Sequence, residues 1–415
     1  MIRPFSIYFG ILFILLRVDI NAQDGQKFKT QIGVQLWSTY TYGQEYFDSE
    51  SSSYIPLTNR WNNQIRRTRI GVSGTPLPNL KYKLTVSLDL VGRDVNAATQ
   101  GGSNNTNFGQ FGLWNMYLLW QPFATTDLFH IKVGFQPIQI GRASITAALR
   151  STSFEKSWSQ NYLRRHIMGR GPGRVMGVNI GGQKVVSPSL AFSYDTGIFT
   201  PQAFSSVNNS QGKTASPLWV GRLVMHMGDP ESKQYSTGHK INYFGKRNGL
   251  SVAVASSYQG QTDLFSSNST FGFDWLLNFG MLNLDGEWTY LSRSKDELQA
   301  SSVASYIRVG YNIPVEGRGF LEPVFMLTRF NGAMDLEEQI EANSLKSFAG
   351  SDQVMDLSLN YHINTNTKVT LNYTMNRGRK GAFSDGATFN NYFRNSEKDP
   401  IRRGNMLGLA FVTIF

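Results

Sequence analysis

The sequence has no cysteine among its 415 residues, so disulfide bonds cannot hold the fold together. After residue 22 it has no run of about 18 consecutive apolar residues, which excludes membrane-spanning helices. None of its five histidines stands in an H-x-x-x-H or H-E-x-x-H spacing, and no G-x-S-x-G motif occurs. These absences argue against a zinc enzyme and a serine hydrolase. We therefore predict that the protein is not an enzyme and needs no cofactor or metal.

The first 22 residues are organised like a secretory signal peptide. Arg3 provides a short charged region, Phe5 to Leu16 an apolar core, and Ala22 a small residue before the cleavage point. That core is shorter than the roughly 20 residues of a spanning helix. No linker divides the rest of the chain. We therefore predict a cleaved signal peptide over residues 1–22 and one domain over residues 23–415.

Strict alternation of apolar and polar residues is clearest between Leu80 and Val91. In this segment the even positions from Leu80 to Leu90 are apolar, and the odd positions from Lys81 to Asp89 are charged or hydroxylated. A period of two residues is typical of a β-strand with different surroundings on its two faces. A strand of about 11 residues tilted by about 45° crosses about 25 Å, the height of the apolar band of an outer-membrane barrel.

The same alternation recurs in sixteen segments of the chain. They lie near residues 31–42, 63–74, 80–91, 111–121, 128–137, 174–181, 188–199, 218–227, 249–260, 271–279, 282–292, 303–313, 320–330, 353–363, 367–376 and 405–415. Aromatic residues such as Trp37, Trp120 and Phe415 stand at many segment ends, as in the aromatic girdles of membrane barrels. The fold predicted is all-β: a transmembrane antiparallel β-barrel of about 16 strands in the bacterial outer membrane.

The spacing of the segments predicts which connections lie at which end of the barrel. Most connections after even-numbered segments are short, whereas connections after odd-numbered segments are long and polar, such as residues 92–110 and 377–404. Bacterial barrels have short periplasmic turns and long outer loops. Residues 228–248 break this rule, since they are long and basic yet follow an even-numbered segment. The alternative at that point is a strand count that differs by two.

The longest early loop, residues 138–173, is rich in arginine. It contains Arg142, Arg150, Lys156, Arg164, Arg165 and Arg170, with Arg174 beside it and Glu155 as its one acidic residue. Arginine stays charged at any working pH and binds phosphate or carboxylate through a planar fork. We predict that this third loop folds into the barrel and narrows the lumen. The alternative is an outward loop whose cations contact the phosphates of surface lipid.

Cations also share one face of the predicted wall strands. Arg67 and Arg69 alternate with apolar residues on the second segment, Lys81 and Lys83 on the third, and Lys132 on the fifth. A lipid-facing lysine or arginine at the bilayer midplane would cost about 2–4 kcal/mol. Alternation therefore predicts that these side chains face the lumen. Arg66 falls on the opposite face, which predicts a strand end or interface.

The formal net charge is +11. Nucleic acid is a common partner of such a basic chain, but the export signal and the absence of a binding motif predict none here. We predict passive diffusion of small anionic solutes through a basic lumen, with outer-membrane lipid around the barrel. The alternative is a non-conducting accessory barrel that docks other envelope proteins.

Four stretches resemble the phosphate-selective porin O and P family. They are R-R-T-R-I-G-V-S-G at Arg66 to Gly74, the K-Y-K-L that follows it, V-G-F-Q-P at Val133 to Pro137, and G-R-V-M-G-V at Gly173 to Val178. The resemblance is strongest over residues 31–182. It implies a 16-stranded porin, often a homotrimer, in which arginines and lysines line a path for phosphate-like anions.

Overall fold

The computed structural model describes residues 28–97, 111–169, 172–202, 210–381, 392–394 and 400–415. The predicted signal peptide and Arg170 lie outside the described residues. Within the described ranges, no helix has the length and apolar character needed to cross a bilayer.

Sixteen strands form the wall, and each pairs antiparallel with the next. In chain order they are β1 (Phe28–Tyr42), β2 (Arg60–Leu77), β3 (Leu80–Leu88), β4 (Phe111–Trp120), β5 (His130–Pro137), β6 (Arg174–Ser187), β7 (Leu190–Phe199), β8 (Leu218–Gly228), β9 (Gly249–Gln259), β10 (Ser267–Phe279), β11 (Leu282–Lys295), β12 (Leu298–Tyr311), β13 (Gly319–Asn331), β14 (Ser351–Asn364), β15 (Thr367–Arg379) and β16 (Asn405–Ile414). The last strand pairs with the first, from Gly33 opposite Ile414 to Tyr42 opposite Asn405. This closure confirms the predicted 16-stranded antiparallel barrel.

Side chains on the outer surface of the wall are apolar and exposed. Leu223 is 52 % exposed, Phe271 54 % and Leu371 58 %, and each alternates with buried inward-facing neighbours. Such a belt would be unstable in water and is the surface that a lipid bilayer solvates. The barrel is therefore an integral protein of the outer membrane. We call the end at which β1 begins and β16 ends the periplasmic end, because the short turns lie there.

Smaller elements are added to the wall. Ile313–Val315 continues the line of β12 beyond Asn312 and pairs with β13. Four short strands form a separate sheet at the outer end: Glu45–Asp48, Ser53–Pro56, Tyr392–Arg394 and Pro400–Arg402. The α-helices are α1 (Arg142–Ile145), α2 (Ser159–Met168) and α3 (Leu336–Ser344), and 3-10 turns span Val95–Ala97 and Ala148–Arg150.

Most connections follow the predicted pattern of short periplasmic turns and long outer loops, and two connections depart from this pattern. Residues 229–248 join β8 to β9 at the periplasmic end and are long, as the sequence indicates, but they leave the strand count unchanged. At the outer end, β11 and β12 are joined only by Asp296 and Glu297, so not every outer loop is long. The third segment also ends earlier than predicted. At Leu90 the chain adopts φ 67° and turns that side chain into the interior.

Residues 138–169 of the third loop cross the lumen, which confirms the predicted inward fold. Its buried apolar side chains, including Tyr162 and Ile167, form one cluster with Leu218 and Phe330 of the far wall. The ring of Tyr162 stacks on that of Phe330 with the centroids 3.7 Å apart. The largest hydrophobic cluster of the described residues therefore lies inside the barrel, between the loop and strands β6 to β13.

Candidate functional site

The middle of the third loop is attached to the wall by a buried carboxylate. Glu155 accepts hydrogen bonds from Arg66 at 3.0 Å and from Arg67 at 2.5 Å. Arg66 faces the lumen although alternation predicted the opposite face. The pairing of β1 with β2 shifts between Gln35 and Leu36, so Arg66 is the extra residue of a β-bulge and both arginines turn inward.

Glu155 is charged over the whole working pH range. Burial raises the pKa of a carboxyl group, but the two guanidinium groups of Arg66 and Arg67 outweigh this effect and lower the pKa of Glu155 to about 2. The attachment of the loop is consequently a charge-assisted contact between ions that water barely reaches.

The start of the third loop is held by a second buried network. Arg142, in α1, is 0 % exposed. Its guanidinium donates to Asp274 of β10 at 3.0 Å and to Glu231 of the connection 229–248 at 2.8 Å. Arg222 of β8 donates to the same Asp274. The sequence predicts Arg142 on an anion path but does not indicate these carboxylates. They neutralise the charge of Arg142 inside the protein.

The remaining loop cations lie in three different surroundings. Arg164 is buried and donates to the hydroxyl of Ser144 at 2.7 Å. Arg165, the next residue of α2, is half-buried. Arg150 lies near the periplasmic end, where its guanidinium is 3.4 Å from the Asn366 side-chain oxygen. The loop thus distributes its arginines along the lumen rather than concentrating them at one depth.

Solvent reaches the inner wall mainly along strands β2 to β4. In the central part of β8 to β14, the inward-facing side chains are buried beneath the third loop and the connection 229–248. The inward-facing side chains of β2 to β4 that remain partly or fully exposed form what we call the lumen strip. They are Arg69, Ser73, Thr75, Lys81, Lys83, Trp114, Tyr117 and Leu119.

Trp114 lies at the centre of the lumen strip between two arginines. The guanidinium carbons of Arg69 and Arg174 each lie 3.8 Å from the centroid of the indole ring. The pairing of β3 with β4 shifts between Thr85 and Val86, which makes this part of β4 a bulge. Asp89 pairs with Arg69, whereas Arg174 donates to Asn115 and to the carbonyl of Pro172. The indole therefore orients the guanidinium of Arg174, whose hydrogen-bond partners are neutral.

Two lysines of the wall continue the basic surface beside Trp114. Lys132 of β5 lies over the ring of Tyr117, 4.4 Å from its centroid, and donates to Thr237 at 3.2 Å. Lys83 is half-buried and lies opposite Tyr117 in the sheet. Lys81 is exposed on the same face, nearer the periplasmic end. The structure brings the predicted Arg69, Lys83 and Lys132 together.

Several basic residues around the lumen strip have neutral hydrogen-bond partners. Lys132, Lys156, Arg164 and Arg174 donate to hydroxyl, carbonyl or amide oxygens. Elsewhere in the lumen, Arg142, Arg222 and Arg308 form ion pairs with carboxylates, as does Arg67 of β2. Neutral partners also occur away from the strip, at Arg247 of the connection 229–248 and at Lys368 of β15. Among the described residues, no cluster of three His, Cys, Asp or Glu side chains could hold a metal ion.

Solved structures with this architecture include a porin and an outer-membrane channel of bacteria. OprB of Pseudomonas putida matches at 12 % identity and a TM-score of 0.56, over 98 % of this chain and 97 % of the OprB chain. The anion-selective porin from Comamonas acidovorans matches at 11 % identity and 0.55, over 94 % and 100 %. The outer-membrane channel DcaP of Acinetobacter baumannii matches at 12 % identity and 0.55, over 95 % and 98 %.

The fold is that of the outer-membrane porins. No protein-family model matches the sequence, and no curated protein matches it. At such low identity the likeness concerns the porin fold alone.

Sequence reasoning missed several residues of this porin-type lumen. The sequence indicates Trp114 and Tyr117 only as members of an alternating strand, and Lys156 and Arg174 only as cations in or beside the loop. Alternation along β4 does indicate the lumen for Tyr117, because this residue lies on the face of the strand opposite Leu118. The bulges at Arg66 and Trp114 had no signal in the spacing, because a bulge is defined by pairing with a neighbouring strand.

Proposed function

We propose that this protein is a porin that allows small anions to diffuse passively across the outer membrane. The observation that carries the proposal is the lumen strip. It is the part of the inner wall that solvent mainly reaches, and it lies beside Lys132, Lys156, Arg164 and Arg174, whose hydrogen-bond partners are neutral. A solute that follows water through the barrel would pass these cations.

The physical basis is the field of fixed charges in a narrow, low-dielectric channel. Such walls focus the field and raise the local concentration of ions of opposite sign. The effect extends over a Debye length, about 8 Å at physiological salt, so it covers a narrow lumen and weakens at high salt. Conduction needs weak, repeated sites, which a series of lysines and arginines supplies.

We further propose that the preferred solutes are phosphate-like anions. Arg174 is oriented by its stacking on Trp114, and a fixed planar guanidinium suits the oxygens of phosphate or carboxylate. Support also comes from the sequence resemblance to the phosphate-selective porin O and P family, and from the anion-selective porin among the structures that share the fold.

Planar-bilayer recording in a salt gradient tests the proposal. We expect a reversal potential of the sign that corresponds to anion flow, a smaller preference at high salt, and competition between phosphate and chloride. A preference for cations would contradict the anion path. Equal permeation of phosphate and a neutral solute of the same size would contradict phosphate selectivity while leaving the channel intact.

A non-conducting accessory barrel is the second candidate. It is supported by the buried inner faces of β8 to β14, since a packed lumen suits a structural subunit. This function predicts no conductance in bilayers and stoichiometric co-purification of other envelope proteins. A conducting channel without such partners would exclude it.

We also propose a homotrimer, as in many porins. The apolar outer faces of β1 to β5 would form the contact between subunits. Native electrophoresis of unheated protein should then show three times the monomer mass, and a monomeric band would contradict the trimer.

A further inference from the structure

The periplasmic connection, residues 229–248, folds upward into the barrel instead of forming a turn outside it. The hydroxyl of Tyr235 donates to Asp195 of β7, and the ring is 8 % exposed. Asn242 donates to Glu322 of β13 at 2.9 Å, and Arg247 to Asn278 of β10 at 2.6 Å. The segment is therefore attached to the inner wall on several sides of the lumen.

The periplasmic connection also contacts the third loop. Glu231 accepts from Arg142 of α1 at 2.8 Å, and its other oxygen lies 3.1 Å from Nδ1 of His239. The backbone N–H of Ala147 donates to the carbonyl of His239, and Thr146 forms a parallel β-bridge with His239. The loop that descends from the outer end and the segment that rises from the periplasmic end thus meet as one internal unit.

We propose that Glu231 is a positioning residue of the channel, which fixes the third loop at the depth where it narrows the lumen. This inference rests on the proposed channel function. Asp274, the other partner of Arg142, is shared with Arg222. Glu231 supplies the second negative charge that these two buried arginines need. Without it, Arg142 would remain buried with half of its compensation, a state that a protein relieves by moving the charged group toward water.

The position of the loop start matters because the same unit borders the lumen strip. Thr237 of the periplasmic connection accepts from Lys132 beside Tyr117, and Arg164 of the third loop donates to Ser144 of α1. A displacement of α1 would therefore move the guanidinium of Arg164, one of the cations beside the lumen strip. Loss of the contact between Glu231 and Arg142 should widen the lumen, while the wall cations preserve its preference for anions.

Single-channel recording of Glu231→Gln tests this inference. We expect the mean conductance to rise about twofold with more open-channel noise, because the loop limits the pore diameter, and anion preference to be retained. The matched control is Glu316→Gln, which removes the same charge from an exposed periplasmic turn and should leave conductance unchanged. Retention of the unheated folded band on electrophoresis shows that each variant has an intact barrel.

A reversible crosslink provides a second test within one molecule. The chain has no cysteine, so Thr146→Cys with His239→Cys, added to Glu231→Gln, introduces one defined pair at the β-bridge. We expect the disulfide to restore low, quiet conductance to this variant and its reduction to raise the conductance again, with no such change in Glu231→Gln that carries Thr146→Cys alone. Conductance in Glu231→Gln equal to that of the wild type, or no response to reduction, would overturn the inference. A wild-type barrel without conductance would instead contradict the proposed function.

Discussion

Arg67 and Glu155 connect the second wall strand to the middle of the third loop. The Nη2 atom of Arg67 lies 2.5 Å from Oε1 of Glu155, and both side chains are almost inaccessible to solvent. The adjacent Arg66 binds the other carboxylate oxygen at 2.8 Å. One loop carboxylate thus compensates two wall arginines that face the lumen.

Replacing Glu155 by glutamine should detach the loop from the wall. The neutral amide would leave two buried guanidinium groups without a counter-charge, and breaking a buried ion pair costs about 3–5 kcal/mol. We expect a lower temperature for loss of the folded band on electrophoresis and faster proteolysis within residues 138–173. Glu338→Gln, on an exposed face of α3, is the matched control and should change neither measurement. Equal proteolysis of the two variants would contradict this role.

The same contact predicts an acid limit for the closed loop. The folded pKa of Glu155, about 2, is below its ordinary value of 4.5, so the contribution to stability is complete above pH 4.5 and is lost as pH falls through 2. We expect wild-type channels to become noisier only near the lower end of that window. Glu155→Gln channels should be noisy at neutral pH, and their noise should not change across the window.

Neutralising Lys83 should weaken anion preference without closing the channel. Its ammonium group belongs to the lumen strip, where it contributes to the local potential. We expect Lys83→Gln to shift the reversal potential toward zero, and more strongly at low salt than at high salt. Lys184→Gln is the matched control, because Lys184 is exposed and lies opposite the outward-facing Phe192. Identical shifts in both variants would place the effect outside the lumen.

Trp114 should matter through the arginines that stack on it. Each exposed or half-exposed cation–π contact contributes about 0.5–1 kcal/mol. We expect Trp114→Leu to reduce phosphate competition against chloride several-fold, because Arg174 loses its fixed orientation. Trp120→Leu removes an outward-facing indole of the same strand and should leave competition unchanged. Unaltered competition in Trp114→Leu would show that Arg174 is oriented by its other contacts.

Gly408 should be sensitive to a single methyl group. A Cβ atom at this position would lie 2.5 Å from the ring of Phe154 in the third loop. Overpacking of this kind costs about 1–3 kcal/mol. We expect Gly408→Ala to lower the thermal stability of the folded band and to increase proteolysis near Phe154. Gly238→Ala is the control, because its added Cβ would meet no atom closer than 3.7 Å.

Alternation and spacing along the chain are enough to predict the barrel and the face of most wall residues. A strand between lipid and a lumen must alternate, so the pattern encodes which side each residue faces before any partner is known. For this reason Arg67, Arg69, Lys83 and Lys132 could be assigned to the lumen from spacing alone. The spacing of the segments also predicted the strand count, and the length of residues 138–173 suggested a loop that could fold inward.

The partners of those residues are known only from the folded barrel. The bulge that turns Arg66 inward and the bulge beside Trp114 depend on the register between neighbouring strands, which one strand's pattern does not contain. The carboxylates of Glu155 and Glu231 meet their arginines across 88 and 89 residues of chain. Such contacts follow from the path of the third loop and the periplasmic connection through the lumen. That path is selected by packing against the whole inner wall and has no periodicity to read.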